Sequence, residues 1–363
     1  MVSMAKDIDT SHLLILTPGF PKDEQDTTCL PAIQKFVVCY QRVFPLRKIS
    51  IISLQYPHYA STYIWKGIDV YSLGGNNKKG IRNAIVILRA ALKAISVNNR
   101  DKINGIISFW LTDTSLAGKF ISQILGIGHV IWMHGQDAKP GNNYYKRVRP
   151  DPEKLIAISD FQNEIFYKSY GIKAKHVVHN GIDLENFPAF NKDTRPIDLF
   201  AAGYLNQLKR YDLFIELIKY LKENGFENIK AVLAGDGTLR NELKHFAERY
   251  NLEINIEFRG EIPHPEVLKL MNNSKIFIHT SEYEGHSNVL IEALYSGCKV
   301  LSFIPVDTKP VDGFILCRDL EDMKAKSLQL LNNQQQYHRG AVYDMTHSVK
   351  QIDTILQSLN SSR

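Results

Sequence analysis

The chain has 363 residues, 44% of them hydrophobic and 23% charged, with a formal net charge of +6. That length suits two domains of ordinary size, and that balance excludes a disordered or low-complexity chain. No apolar run approaches the roughly 18 uncharged residues of a membrane-spanning helix, and the N-terminus MVSMAKDIDTSHLLILT lacks a secretory leader pattern, so a cytoplasmic location is expected.

The charge is uneven: residues 1–190 carry 23 Lys and Arg against 15 Asp and Glu, whereas residues 191–363 carry 21 against 23. Four scattered cysteines, Cys29, Cys39, Cys298 and Cys317, show no metal-binding or redox spacing and read as reduced thiols.

Strand-like and helix-like segments alternate, the pattern of an α/β fold with parallel sheets. Strands are expected at 12–17, 48–55, 68–74, 103–110, 129–135, 154–159 and 175–181, with helices at 30–43, about 80–97 and 113–125. Residues 182–196, with Pro188 and Pro196, read as an interdomain linker. The cycle then restarts: strands at 197–203, 229–237, 254–260, 275–280, 299–303 and 313–317 alternate with helices at 209–224, 238–250, after Pro265 and at 319–333, and a last helix covers 341–359. Two domains follow, residues 1–190 and 191–340.

The richest stretch is SEYEGHSNVLIEALYSGCKV, from Ser281 to Val300. Val289, Leu290, Ala293 and Leu294 fit an amphipathic helix entered through Ser287-Asn288 and closed at Gly297. Glu284 therefore falls in the loop before the helix, and Glu292 one turn inside it. Behind strand 275–280, this arrangement aims backbone N–H groups and a helix N-terminus beyond the strand's carboxyl end, a setting suited to phosphate. A capped helix bearing ordinary surface acids is the plain alternative.

The run Glu284-Gly285-His286-Ser287-Asn288-Val289-Leu290-Ile291-Glu292-Ala293, followed by Ser296-Gly297, resembles the E-x7-E signature of retaining GT-B glycosyltransferases of the group 1 (family 4) type. The resemblance implies an α/β fold of GT-B type, two Rossmann-like domains facing each other across a cleft, with the 341–359 helix returning to the first domain. It implies transfer of a sugar from a nucleotide-sugar donor to a hydroxyl of a glycan or lipid-linked glycan, with retention of configuration. On that template Glu284 contacts the transferred sugar, Glu292 holds the ribose, and Gly285, Ser287 and Asn288 belong to the donor site.

The segment Gly203-Tyr204-Leu205-Asn206-Gln207-Leu208-Lys209-Arg210 looks like the family's G-R-x-x-x-x-K-G loop. Lys209 falls on the Lys that stabilises the leaving diphosphate, a catalytic and donor-binding role. Tyr204 stands where the Arg belongs, and Arg210, on the final Gly, is a candidate replacement cation. His134, at the end of strand 129–135, falls where the family places a His beside the donor sugar and is the third catalytic candidate with Glu284 and Lys209. The neighbouring Asp137 reads as an acceptor-side group or as a cap of the following turn. Gly19 occupies the N-terminal phosphate loop, where relatives carry paired glycines. Ala234-Gly235-Asp236-Gly237 reads as a helix-capping turn or a loop near the base.

The resemblance calls for no cofactor beyond the nucleotide-sugar co-substrate, with a UDP-sugar favoured, and the lack of D-x-D at a strand end argues against an obligatory metal. The basic residues from Lys78 to Lys102, interleaved with Ile81, Ile85, Val86, Leu88, Leu92 and Ile95, read as a solvated helix face or as peripheral contact with an anionic membrane at its inner face. Nucleic acid is not expected, because no stacking aromatics accompany the charge. Two other readings remain: a non-catalytic nucleotide-binding or scaffold protein of the same fold, and a sugar-nucleotide 2-epimerase acting on UDP-GlcNAc without an acceptor.

Overall fold

The computed structural model describes residues 11–282, 287–306, 310–333, 336–340 and 343–361. The chain forms two compact units, one running to Gly181 and including the segment from Asp344 onward, the other Ile182–Tyr343.

In the N-terminal unit the strands are β1 (His12–Gly19), β2 (Lys48–Tyr56), β3 (Ala60–Trp65), β4 (Ile68–Leu73), β5 (Ile103–Phe109), β6 (Gly128–Trp132), β7 (Leu155–Ala157) and β8 (His176–Val177). They form one sheet in the order β3-β4-β2-β1-β5-β6-β7-β8, parallel except for the β3–β4 hairpin. Its helices are α1 (Pro31–Val43), α2 (Ile81–Arg100), α3 (Asp113–Leu125), α4 (Asn143–Val148) and α5 (Asp160–Tyr170). β1, β2, β5 and β6 are buried almost throughout, as parallel strands covered on both faces must be. On one face α1 packs with Leu13, Ile15, Ile107 and Trp132; on the other α2 and α3 pack with Leu14, Leu16, Ile52 and Ile106.

The strands of the second unit are β9 (Ile197–Ala202), β10 (Ala231–Ala234), β11 (Ile256–Gly260), β12 (Ser274–His279), β13 (Lys299–Ser302) and β14 (Phe314–Leu316). Its sheet is wholly parallel in the order β11-β10-β9-β12-β13-β14. The helices are α6 (Tyr211–Glu223), α7 (Arg240–Arg249), α8 (His264–Asn272), α9 (Asn288–Tyr295) and α10 (Leu320–Asn332). The last helix of the chain, α11 (Met345–Ser361), belongs to the N-terminal unit. There Asp353 accepts from Tyr40 Oη at 3.0 Å and pairs with the buried Arg47, and Asn360 accepts from Gly128 N at 2.7 Å.

Three elements were absent from the sequence expectation. β3 is an edge strand with alternating exposure, paired antiparallel to β4. α4 is short, and α5 is capped by Ser159 Oγ, which accepts from Gln162 N at 3.1 Å. The chain leaves the first unit at Gly181, ahead of the expected boundary at 190, because the segment read as linker is packed onto the second unit. Ile182, Leu184 and Phe187 join its core, and Asn191 N donates to Asn272 Oδ1 at 3.1 Å. None of the four cysteines is joined in a disulfide among the described residues, and Cys39, Cys298 and Cys317 are buried.

Candidate active site

In the C-terminal unit the strand order grows outward from β9 in one direction and from β12 in the other. The connections leaving these two strands therefore run on to helices on opposite faces of the sheet, and this switch point is where ligands of open α/β sheets bind. Lys209 stands in the first loop. Asn206 Oδ1 caps its short turn by accepting from Lys209 N at 3.2 Å, Thr280 Oγ1 donates to Lys209 O at 2.6 Å, and Glu282 N donates to Leu208 O at 3.1 Å. The two loops are thus stitched together at the backbone oxygens of Leu208 and Lys209. The Cε of Lys209 lies 3.7 Å from the position a Cβ on Gly203 would take.

His279 ends β12 beside this lysine. Burial pushes its imidazole down to about 3, and the Lys209 charge acts in the same direction, so the ring is neutral at working pH. Its Nδ1 is 3.0 Å from Ser302 Oγ and its Nε2 is 3.5 Å from Ser287 Oγ, the residue that precedes α9. The ring thereby ties the end of β12 to β13 and to the entrance of α9. Ser287 is buried, Asn288 is half-buried, and the Asn288 Oδ1 is buried with no partner among the described residues. The first-turn amides of α9 leave this end of the helix.

Glu292 sits one turn inside α9 and is only 5% exposed. Its Oε1 is 2.9 Å from Nε2 of His264, the first residue of α8. A buried carboxylate needs such a partner. The second acid of the pair read from the sequence, Glu284, and its neighbour Gly285 lie outside the described residues.

Arg210 is engaged elsewhere. Its guanidinium donates to Asp212 at 2.8–3.1 Å and to Glu282 at 3.0 Å, and these two carboxylates raise its pKa. Tyr204 is 58% exposed and also offers no cation. The Gly235–Gly237 turn has a backbone role. Gly203 N donates to Ala234 O at 3.0 Å and Leu205 N to Asp236 O at 2.9 Å, and a Cβ on Gly235 would stand 1.9 Å from Gly203 O. Only glycine allows the two loops so close.

The N-terminal unit places Gly19 at the end of β1, where Tyr56, Leu30 and Cys29 surround it at 3.4–3.7 Å from a notional Cβ. His134 follows β6, its ring 4.5 Å from Trp132 and 5.2 Å from both Phe109 and Trp110. Asp137 caps the turn: its carboxylate accepts from Leu111 N at 3.0 Å, Gly135 N at 3.0 Å and His134 N at 3.3 Å.

The structure therefore gathers Lys209, Ser287, Asn288 and Glu292 around one switch point and holds Gly19 and His134 in the other unit. Two residues of this neighbourhood, His264 and His279, were missed by the sequence reading. His279 was legible as the last polar residue of an apolar strand; nothing in the sequence ties His264 to Glu292, 28 residues away.

Residues 183–308 match the family model for glycosyl transferases group 1. Over 207 residues the chain is 27% identical to a Campylobacter jejuni GalNAc-alpha-(1->4)-GalNAc-alpha-(1->3)-diNAcBac-PP-undecaprenol alpha-1,4-N-acetyl-D-galactosaminyltransferase, a match covering 54% of this chain and 56% of that protein. The chain thus spans about half the length of this curated relative. Among solved structures, a glycosyltransferase from Rickettsia africae superposes with a TM-score of 0.69 at 12% identity, covering 96% of this chain and 98% of that one. Anabaena HepE, solved with UDP and glucose, gives a TM-score of 0.64 at 14% identity over 96% of this chain and 100% of its own. These likenesses show the GT-B fold expected from the sequence.

Proposed function

We propose that this chain, which carries a group 1 glycosyl transferase domain over residues 183–308, moves a sugar from a nucleotide-sugar donor to a hydroxyl of a glycan or lipid-linked glycan, with retention of configuration. The observation that carries the reading is the β9/β12 switch point, where Lys209, the entrance of α9 and a buried, histidine-paired Glu292 converge. A diphosphate needs a cation and N–H dipoles, and a ribose needs an acceptor for its hydroxyls. All three are present on one unit.

In this reading the anomeric carbon–phosphate oxygen bond breaks as the acceptor oxygen bonds to the same face of that carbon, and the departing diphosphate takes the acceptor's proton. Lys209 and the α9 amides stabilise the charge that builds on the leaving oxygen, and Glu292 fixes the ribose. Glu284 and His134 enter as sugar-side groups, and Gly19 as a phosphate contact, through the resemblance alone. The nucleotide-sugar is a co-substrate, taken as a UDP-sugar, and the scheme uses no resident cofactor or divalent ion. The undecaprenol-linked acceptor named for the Campylobacter relative supports a lipid-linked glycan as acceptor here, met at the cytoplasmic face of a membrane.

A second reading, a nucleotide-binding scaffold without turnover, is favoured by Tyr204 at the expected Arg position and by the engagement of Arg210 with Asp212 and Glu282. The test is a thermal-shift panel of UDP-, GDP- and ADP-sugars followed by transfer assays on lipid-linked glycan extracts. A donor that raises Tm and yields glycosylated product supports the transferase. Binding without product supports the scaffold, and an isomerised sugar from donor alone identifies an epimerase.

A further inference from the structure

Helices α2, α3 and α4 cover the same face of the N-terminal sheet, with α2 packed on α3 and α3 on α4. The side of α2 turned away from the sheet is not polar. Ile81, Ile85, Leu88 and Leu92 follow one another at helical spacing and are 51–80% exposed. On the neighbouring α3, Phe120 and Ile124 are 44% and 58% exposed. The sequence reading grouped these α2 residues with Val86, yet only Val86 of that stripe is buried; the sheet-facing side is made of smaller residues such as Ala90, Ala91 and Ala94.

The charge around the stripe has one sign. From Gly74 to Arg100 the chain holds six Lys or Arg and no Asp or Glu. α4 adds Lys146 and Arg147, with Arg149 just beyond it. The one acid of α3, Asp113, is buried against Gln55 and Thr114 N, away from solvent. Among the described residues of the second unit, Ile254 and Leu316 are exposed as isolated residues.

We infer that α2, α3 and α4 form the face by which the chain docks on an anionic lipid surface, an inference that rests on the reading of the acceptor as lipid-linked. Aliphatic side chains in a row can enter the headgroup boundary while the long Lys and Arg stems beside them keep their charges at the phosphates. A second copy of this chain is a poor occupant, since the carboxylates at the margins, Asp101 and Asp151, already face Lys48 and Lys154, and pairing two such faces would bring mostly like charges together. The surface therefore fits lipid phosphate, with an acidic polypeptide as the competing outcome.

The full chain is sedimented with phosphatidylcholine vesicles and with vesicles of phosphatidylcholine and phosphatidylglycerol in equal parts. Binding is expected to the second kind and to be lost at high salt. Ile85→Glu/Leu88→Glu should abolish it and Lys78→Glu/Lys79→Glu should weaken it by roughly fivefold or more for each lysine removed, whereas Ile254→Glu, a change at a more exposed isoleucine of the other unit, should leave it intact. All of these positions are exposed, and an unchanged Tm checks that each variant folds. Retained binding in Ile85→Glu/Leu88→Glu, equal binding to both vesicles, or preference for polyglutamate over vesicles overturns the docking face. Transfer onto a lipid-linked glycan without vesicle binding overturns this inference alone; vesicle binding without transfer upholds it and removes the functional reading instead.

Discussion

Glu292 and Asp137 are each 5% exposed, and both lie near the carboxyl ends of strands in a doubly wound sheet. Their surroundings differ in kind. Asp137 is enclosed by backbone: the amides of Leu111, His134 and Gly135 point at its carboxylate and its oxygens serve to hold a turn. Glu292 meets a side chain, the imidazole of His264, on the helix whose N-terminus opens on the switch point. An acid that closes a loop and an acid proposed to hold a ligand can be equally buried. What separates them is whether their partners are fixed backbone dipoles or groups that can yield a hydrogen bond to something that arrives.

The sharpest break of that distinction comes from Lys209. The hydrogen bonds of its backbone to Asn206 and Thr280 survive in Lys209→Ala, and kcat should fall by about 10²–10³, the usual effect of removing one preorganised stabiliser of transition-state charge. Wild-type turnover in this variant would remove the switch point from the reaction. Glu292→Gln comes next. The amide keeps the shape and a hydrogen bond to His264 but weakens the grip on ribose hydroxyls, so donor KM should rise by about 10-fold or more with kcat less affected. His264→Ala should follow the same KM pattern more weakly, as befits a residue that positions Glu292. A fall in kcat with unchanged KM in either variant would contradict the ribose assignment.

The fold was largely legible because its signals are local. Apolar runs such as HLLILT and KIFIHT and the periodicity of Val289, Leu290, Ala293 and Leu294 each state their element within a few residues. α5 was legible too, through Ser159 and Gln162 three positions on, an N-terminal signature the sequence reading passed over. The site was read only in part, because its wiring is non-local. No spacing rule joins His264 to Glu292, Arg210 to Glu282 or His279 to Ser302. Arg210 was expected to stand in for a missing phosphate cation, and only the folded loop brings it to Asp212 and Glu282. The exposed stripe on α2 shows the converse limit: its periodicity marked a helix, yet alanines rather than leucines face the sheet.

Asp137→Ala tests the other half of the comparison. Three amides would lose their acceptor, and a stability loss of about 2 kcal/mol in denaturant unfolding is expected, with donor KM unchanged. A raised donor KM at unchanged stability would show that this acid belongs to a ligand after all.

The smallest effect concerns pH, where the two units carry buried groups of opposite sign. Burial lowers His279 from its ordinary 6.5 to about 3, so the unfolded chain binds the proton more readily, and the stability this ring contributes at neutral pH is lost as pH falls below 6.5. The loss should be on the order of 1 kcal/mol by pH 6. Burial raises Asp137 from 3.8 to about 6 against the amides that favour its charged form, so here the native state holds the proton and stability is gained as pH falls through 6. His279→Gln should therefore flatten the decline in stability between pH 7 and pH 5, and Asp137→Asn should steepen it. Hydrogen exchange followed separately at β12 and at the turn after β6 resolves the two contributions, and parallel slopes in both variants would show that neither group titrates as its surroundings require.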